Sequence, residues 1–194
     1  MTSSSWLTWS NSSALSAASR GVAGIGYSNG GQMVIRIVHE APGLLTGAGI
    51  ISATMPTPDT FAAIDRYQPL PVVLIHGTRD RLAPYDGGKA SLWGLKSLGT
   101  GLSAPATGRY FAERNGITTA PTTTDLPHAP GSRTVATKTA YRQPGQPPVT
   151  LYTVAGGGHT IPNPNKNALF ILGKTSRELG AAEAIWDDAV VPAL

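Results

Sequence analysis

Gly26-Tyr27-Ser28-Asn29-Gly30-Gly31 sets a serine between glycines two residues to either side, after an apolar run and before an amphipathic one. A hydroxyl is a weak nucleophile at neutral pH, so such a serine needs a base to take its proton. Two later segments offer the partners. Pro71-Val72-Val73-Leu74-Ile75-His76-Gly77 leads within three residues to Asp80, and the β-rich run Val149 to Val154 opens into Ala155-Gly156-Gly157-Gly158-His159. The chemistry open to these three is acyl transfer. Ser28 would attack a carbonyl, His159 would take the proton and return it to the leaving group, and Asp80 would hold the imidazole tautomer and stabilise its cation.

Each of the three lies just past an expected strand, where open parallel sheets build their sites. Val22 to Ile25 fits a short strand. Gln32 to Glu40, with Met33, Ile35, Ile37 and Val38, fits a buried helix closed by Pro42. Together they form a strand, a strained turn carrying Ser28 and a helix, with the flanking glycines expected to relieve crowding between turn and helix. The glycine-serine pattern alone is weak, because a chain with 23 Gly in 194 residues meets it by chance roughly one time in five. A glycine-rich turn with an idle serine is the competing reading, and the strand and helix on either side weigh against it.

The remaining elements read as strand, helix and strand from Gly21 to about Ala53, then the aspartate strand, then helices over Gly87–Ser97 and Ser103–Asn115. Thr134 to Tyr141 alternates as a strand. With the turn Gln143-Pro144-Gly145 it predicts a hairpin into the histidine strand, and Thr118 to Thr124 reads as a surface loop. The class is α/β, with a mostly parallel sheet flanked by helices. Residues 1–20, rich in Ser, Ala and Thr, form an atypical arm ahead of a catalytic domain over 21–194.

The strings GYSNGG, PVVLIHGTRDRLAPYDGG, RYFAERNGITTAPTTT, LYTVAGGGHTIP and LGKTSRELGAAEAIWDD resemble, in order, the polyhydroxybutyrate depolymerase and feruloyl esterase-like group of α/β-hydrolases, from about Gly21 to Asp188. The resemblance implies a partial α/β-hydrolase fold with Ser28, Asp80 and His159 as the triad. It also implies a carboxylic ester substrate of short-chain, aryl or feruloyl, or polyester type, no cofactor, no metal and a secreted protein. The family's strands before the elbow, with the loop that supplies one oxyanion donor, have no counterpart here. The amide of Asn29, at the positive end of the following helix, is the recognisable donor. Alternatives are a fold that keeps the motifs with little or no turnover, and an acyltransferase on the same triad.

Tyr27 and Ile161 are candidate walls of the substrate site, Ile161 standing where relatives commonly have tryptophan. His76 reads as a satisfied histidine orienting the aspartate loop. Asp86, the rival to Asp80, reads as a helix cap. Trp93 and Trp186 read as packing residues in helices. His39, near a helix C-terminus, and His128, in a Pro-rich loop, lack Asp, Glu or His at metal-ligand spacing.

Composition narrows the partners. The formal charge is +4, but the 15 Lys and Arg are scattered, and the densest set, Arg133, Lys138 and Arg142, is sparse. Nucleic-acid binding is therefore not expected, although a mildly basic surface suits acidic polymers. No apolar run approaches the ~18 residues of a membrane span. With no cysteine there is neither thiol nucleophile nor disulfide. An elbow strand without its usual neighbour would leave an open sheet edge, which predicts self-association through that edge or its coverage by the arm.

Overall fold

The computed structural model describes residues 21–92 and 96–193; the expected arm over 1–20 lies outside them, as does Trp93. The apolar run ending at Tyr27 forms β1 (Ala23–Tyr27), followed by α1 (Asn29–Glu40) and β2 (Gly47–Ile51). The aspartate strand is β3 (Val72–Gly77) and the histidine strand is the last of the sheet. Between them come β4 (Gly88–Leu92), β5 (Lys96–Gly101), α2 (Ala104–Arg114), β6 (Thr122–Asp125) and β7 (Val135–Tyr141), then β8 (Val149–Ala155) and α3 (Ala181–Ile185).

Six strands join in the order β1-β2-β3-β8-β7-β6. β1, β2, β3 and β8 run parallel, and β7 and β6 add antiparallel pairs at one side. β3 is buried along its whole length, as a strand covered on both faces must be. Its side chains alternate: Val72 and Leu74 pack with Ile35, Val38 and Phe111 from α1 and α2, while Val73 and Ile75 pack with Ile185 and Ala189 beyond. The result is a sheet between two helical layers, and it holds the C-terminal ends of β1, β3 and β8 side by side. The expected hairpin is present. β7 pairs with β8 in antiparallel register, and the turn places Gly145 at φ 79° with Gln146 N–H donating to the Gln143 carbonyl.

Several expectations are corrected. Gly87–Ser97 does not form a helix; β4 and β5 pair instead as a separate antiparallel ribbon. Gly87, Gly88 and Gly99 all take positive φ, and glycines cost about 1 kcal/mol each in a helix interior. No helix therefore follows Asp86 for it to cap. The Thr118–Thr124 tract is not all loop, since β6 begins at Thr122 and lies fully exposed on β7. Trp186, in a π-helical turn after α3, is 56 % exposed and does not pack in the core. His39 is completely buried among Phe61, Tyr67, Tyr110 and Phe111, and burial lowers its pKa.

α2 starts as its sequence directs. Ser103 Oγ accepts from the Ala106 N–H at 3.1 Å, and a proline sits in the first turn, where no amide is needed.

Candidate active site

Ser28 occupies the turn between β1 and α1 at φ 56°, ψ −118°, a left-handed conformation that costs a non-glycine residue of order 1–3 kcal/mol. Two bonds hold the turn. Ser28 N–H donates to the Ile51 carbonyl at 2.8 Å, and the Gln32 N–H donates to the Ser28 carbonyl at 3.1 Å. The expectation for the flanking glycines is half right. A Cβ at Gly26 would collide with the Gly30 carbonyl, whereas a Cβ at Gly30 would meet open space. The tight contact on the helix side falls at Gly31, where a Cβ would stand 2.8 Å from that of Ala53.

The structure brings Ser28, His159 and Asp80 into one hydrogen-bonded row. Ser28 Oγ lies 2.8 Å from His159 Nε2, and His159 Nδ1 lies 2.7 Å from Asp80 Oδ2. Burial alone would raise the Asp80 pKa, but bonds from His159, His76 and the Ala83 N–H outweigh it and hold the carboxyl well below the usual carboxylate range. An ionised Asp80 accepts, so Nδ1 carries the proton and Nε2 is left to accept from the Ser28 hydroxyl.

Each member is fixed by its surroundings. The other Asp80 oxygen accepts from the Leu82 and Ala83 amides, both at 2.9 Å. His76 Nε2 donates to the Ala83 carbonyl at 2.8 Å and stands 3.4 Å from Asp80 Oδ2, which matches the expectation that it orients this loop. The His159 N–H donates to the Leu172 carbonyl at 2.7 Å. The aspartate and histidine loops also touch directly: Arg79 N–H donates to the Gly157 carbonyl at 2.8 Å, and Gly77 lies so close to Gly157 and Gly158 that no Cβ fits.

Tyr27, expected as a wall of the substrate site, lines neither the cavity beside Asn29 nor the one beside His159 and packs on His159 instead. Its hydroxyl donates to the His159 carbonyl at 2.8 Å and its ring lies 5.1 Å from the imidazole. Burial and then the Asp80 charge raise its pKa, so it remains a donor. Ile161 is 44 % exposed. Asn29 opens α1, where its N–H has no intrahelical acceptor and is free to donate outward. A cavity of about 240 Å³ adjoins it, lined among others by Gln32, Thr54, Ala83, Pro84 and Gly101. Gln32, which the sequence did not mark, is held there by its side-chain N–H, which donates to the Thr54 carbonyl at 2.9 Å.

His128 lies 3.3 Å from Glu178, and Glu178 also accepts from Ser176 and Thr134. Among the described residues no group of three His, Cys, Asp or Glu gathers as a metal site, and no helix is long and apolar enough to cross a membrane.

A mostly parallel sheet between helical layers, with a serine turn between its first described strand and helix, is a partial α/β fold. In agreement, the family model described as phospholipase/carboxylesterase matches residues 10–104, a span that takes in Ser28 and Asp80 and ends before His159. The chain is also similar to the protein named "Putative esterase NocK" from Nocardia uniformis subsp. tsuyamanensis. The two are 29% identical over 172 residues, which cover 84% of this chain and 49% of that protein. The chain thus spans about half the length of this relative. No solved structure matches the chain significantly.

Proposed function

We propose that this protein is a serine carboxylic-ester hydrolase that works through Ser28, His159 and Asp80. The observation that carries this reading is the row of bonds from Ser28 Oγ through His159 to Asp80, built on a turn that stores strain at the serine. Ser28 Oγ attacks the ester carbonyl as its proton passes to His159 Nε2, and the oxyanion forms against the Asn29 amide. The intermediate collapses, the C–O bond to the alcohol breaks, and His159 returns its proton to the departing oxygen. Water then attacks the acyl-enzyme by the same relay, releasing the acid and the Ser28 hydroxyl.

Similarity to an esterase-named protein and to a carboxylesterase family model supports this reading. The resemblance to feruloyl esterases and polyhydroxybutyrate depolymerases points to aryl, short-chain or polyester acyl groups. Hydrolysis of a short activated ester by the protein and by Ser28→Ala tests the proposal. Loss of turnover by a factor of about 10⁴ or more is expected, and equal background rates in both would overturn it.

The reading extends to self-association. Among the described residues β1 pairs with β2 alone, leaving its other edge open to a second copy. Light scattering at micromolar concentration is expected to give a dimer; a monomer would sink this part.

A further inference from the structure

The cations that are scattered in the sequence gather beside His159. A cavity of about 220 Å³ that His159 itself lines carries Arg79, Arg81 and Lys174. A second, of about 440 Å³, carries Arg133 and Arg177 and shares Gly173 and Lys174 with the first. Five of the 15 Lys and Arg therefore line two adjoining cavities that together form a cationic trench, and among the described residues no Asp or Glu lines either one. Among the described residues none of the five takes part in an ion pair. The nearby acids are committed elsewhere: Asp80 to His159, and Glu178 to Ser176, Thr134 and His128. Unneutralised charge of one sign in a concave surface concentrates ligands of the opposite sign.

The position of the trench decides which part of a substrate it would meet. In ester cleavage the alcohol leaves with a proton from the histidine, so it departs on the side that the histidine faces. The cavity beside Asn29, the oxyanion donor of the proposed mechanism, shares no lining residue with the trench, which leaves it for the acyl group under that mechanism. Among the described residues the far part of the trench adds the polar side chains of Ser132, Asn167 and Thr175, and the imidazole of His159 is the one aromatic ring in the lining, so a run of nucleic-acid bases finds no stacking platform there.

We infer that the trench binds the alcohol part of the substrate and that this part is an anionic, hydroxyl-rich chain: an ester of a carboxylated polysaccharide. The inference rests on the esterase reading for its orientation, but the binding site can be tested apart from turnover.

The test measures binding of a short oligogalacturonate to the Ser28→Ala protein by calorimetry. A neutral cello-oligosaccharide and a single-stranded oligonucleotide serve as comparisons. Selective binding of the oligogalacturonate is expected, weakening as salt screens the exposed cations. In an Arg79→Gln/Lys174→Gln variant with unchanged thermal midpoint it should fall about tenfold. Equal binding of the neutral sugar, indifference to salt or indifference to the double substitution would overturn the trench. Tighter binding of the oligonucleotide would overturn the carbohydrate assignment. In the unsubstituted protein, Ser28-dependent hydrolysis of a neutral activated ester without oligogalacturonate binding leaves the esterase reading standing and the trench refuted. Binding without any hydrolysis does the reverse.

Discussion

The Tyr27 hydroxyl reaches across the site to the His159 backbone carbonyl at 2.8 Å, so the residue before the serine holds the residue that would deprotonate it. The two stand 132 positions apart in sequence, and the bond ties the turn after β1 to the loop after β8. Tyr27→Phe keeps the ring beside His159 but leaves its carbonyl short of a donor, at a cost of about 1 kcal/mol in stability. Looser placement of the imidazole should lower kcat by up to about tenfold with KM little changed, as steady-state kinetics on a short activated ester will show.

His76 acts one step behind the row. It donates to the Ala83 carbonyl and faces Asp80, and its replacement by Phe leaves two buried acceptors underserved, costing about 1–3 kcal/mol. The effect should also appear in acid unfolding. Asp80 has a depressed folded pKa, so its contribution to stability is fully present above the unfolded value of about 3.9 and is lost as pH falls through the folded value. Removing His76 raises the folded value and narrows that window. His76→Phe should therefore unfold at higher pH than the unsubstituted protein in an acid titration followed by circular dichroism, and His76→Gln, which keeps a donor, should recover part of the shift.

Local signals in the chain already point to much of this arrangement. Three strands ending in chemistry-bearing loops are visible because β3 and β8 are buried on both faces and read as apolar runs, and the elbow carries its own glycine signature. The Gly87–Ser97 segment misleads because its apolar spacing fits a helix while its glycines favour the paired ribbon that forms. The burial of His39 is not legible for a different reason: its place at the end of α1 is local, but the aromatic residues that bury it lie far along the chain. The grip of Tyr27 on His159, the Leu172 carbonyl under the His159 amide and the gathering of Arg79, Lys174 and Arg133 are all products of tertiary packing. The ends of the Tyr27 bond lie 132 positions apart, and even the short stretch from His159 to Leu172 carries no periodic signal that would pair them.

The two glycines around Ser28 should respond differently to alanine. At Gly26 the added methyl has only backbone to meet, so the turn must shift; loss of more than about 2 kcal/mol of stability and collapse of turnover are expected. At Gly30 the space is open and the residue is helical, so Gly30→Ala should leave stability unchanged or raise it by up to about 1 kcal/mol. Urea unfolding of the two variants side by side checks the contrast, and equal losses would show that the crowding lies elsewhere.

His39 gives the fold a pH dependence that lies apart from the candidate site. Its Nδ1 is 2.6 Å from the Ile35 carbonyl, which can only accept, so the proton sits there and Nε2 accepts from the Tyr110 hydroxyl at 2.7 Å. Adding a second proton makes Nε2 a donor and forces the Tyr110 hydroxyl to turn. Burial sets the folded pKa below the ordinary histidine value of about 6.5, so between the two values the unfolded chain binds more protons. Stability is then highest above that ordinary value and falls as pH drops towards the folded pKa. Urea midpoints measured at pH ~7.5 and ~5.5 should show this loss, and His39→Gln, which has no proton to gain there, should lower stability at both pH values while flattening the difference between them. An equal pH dependence in the variant would assign the effect to another group.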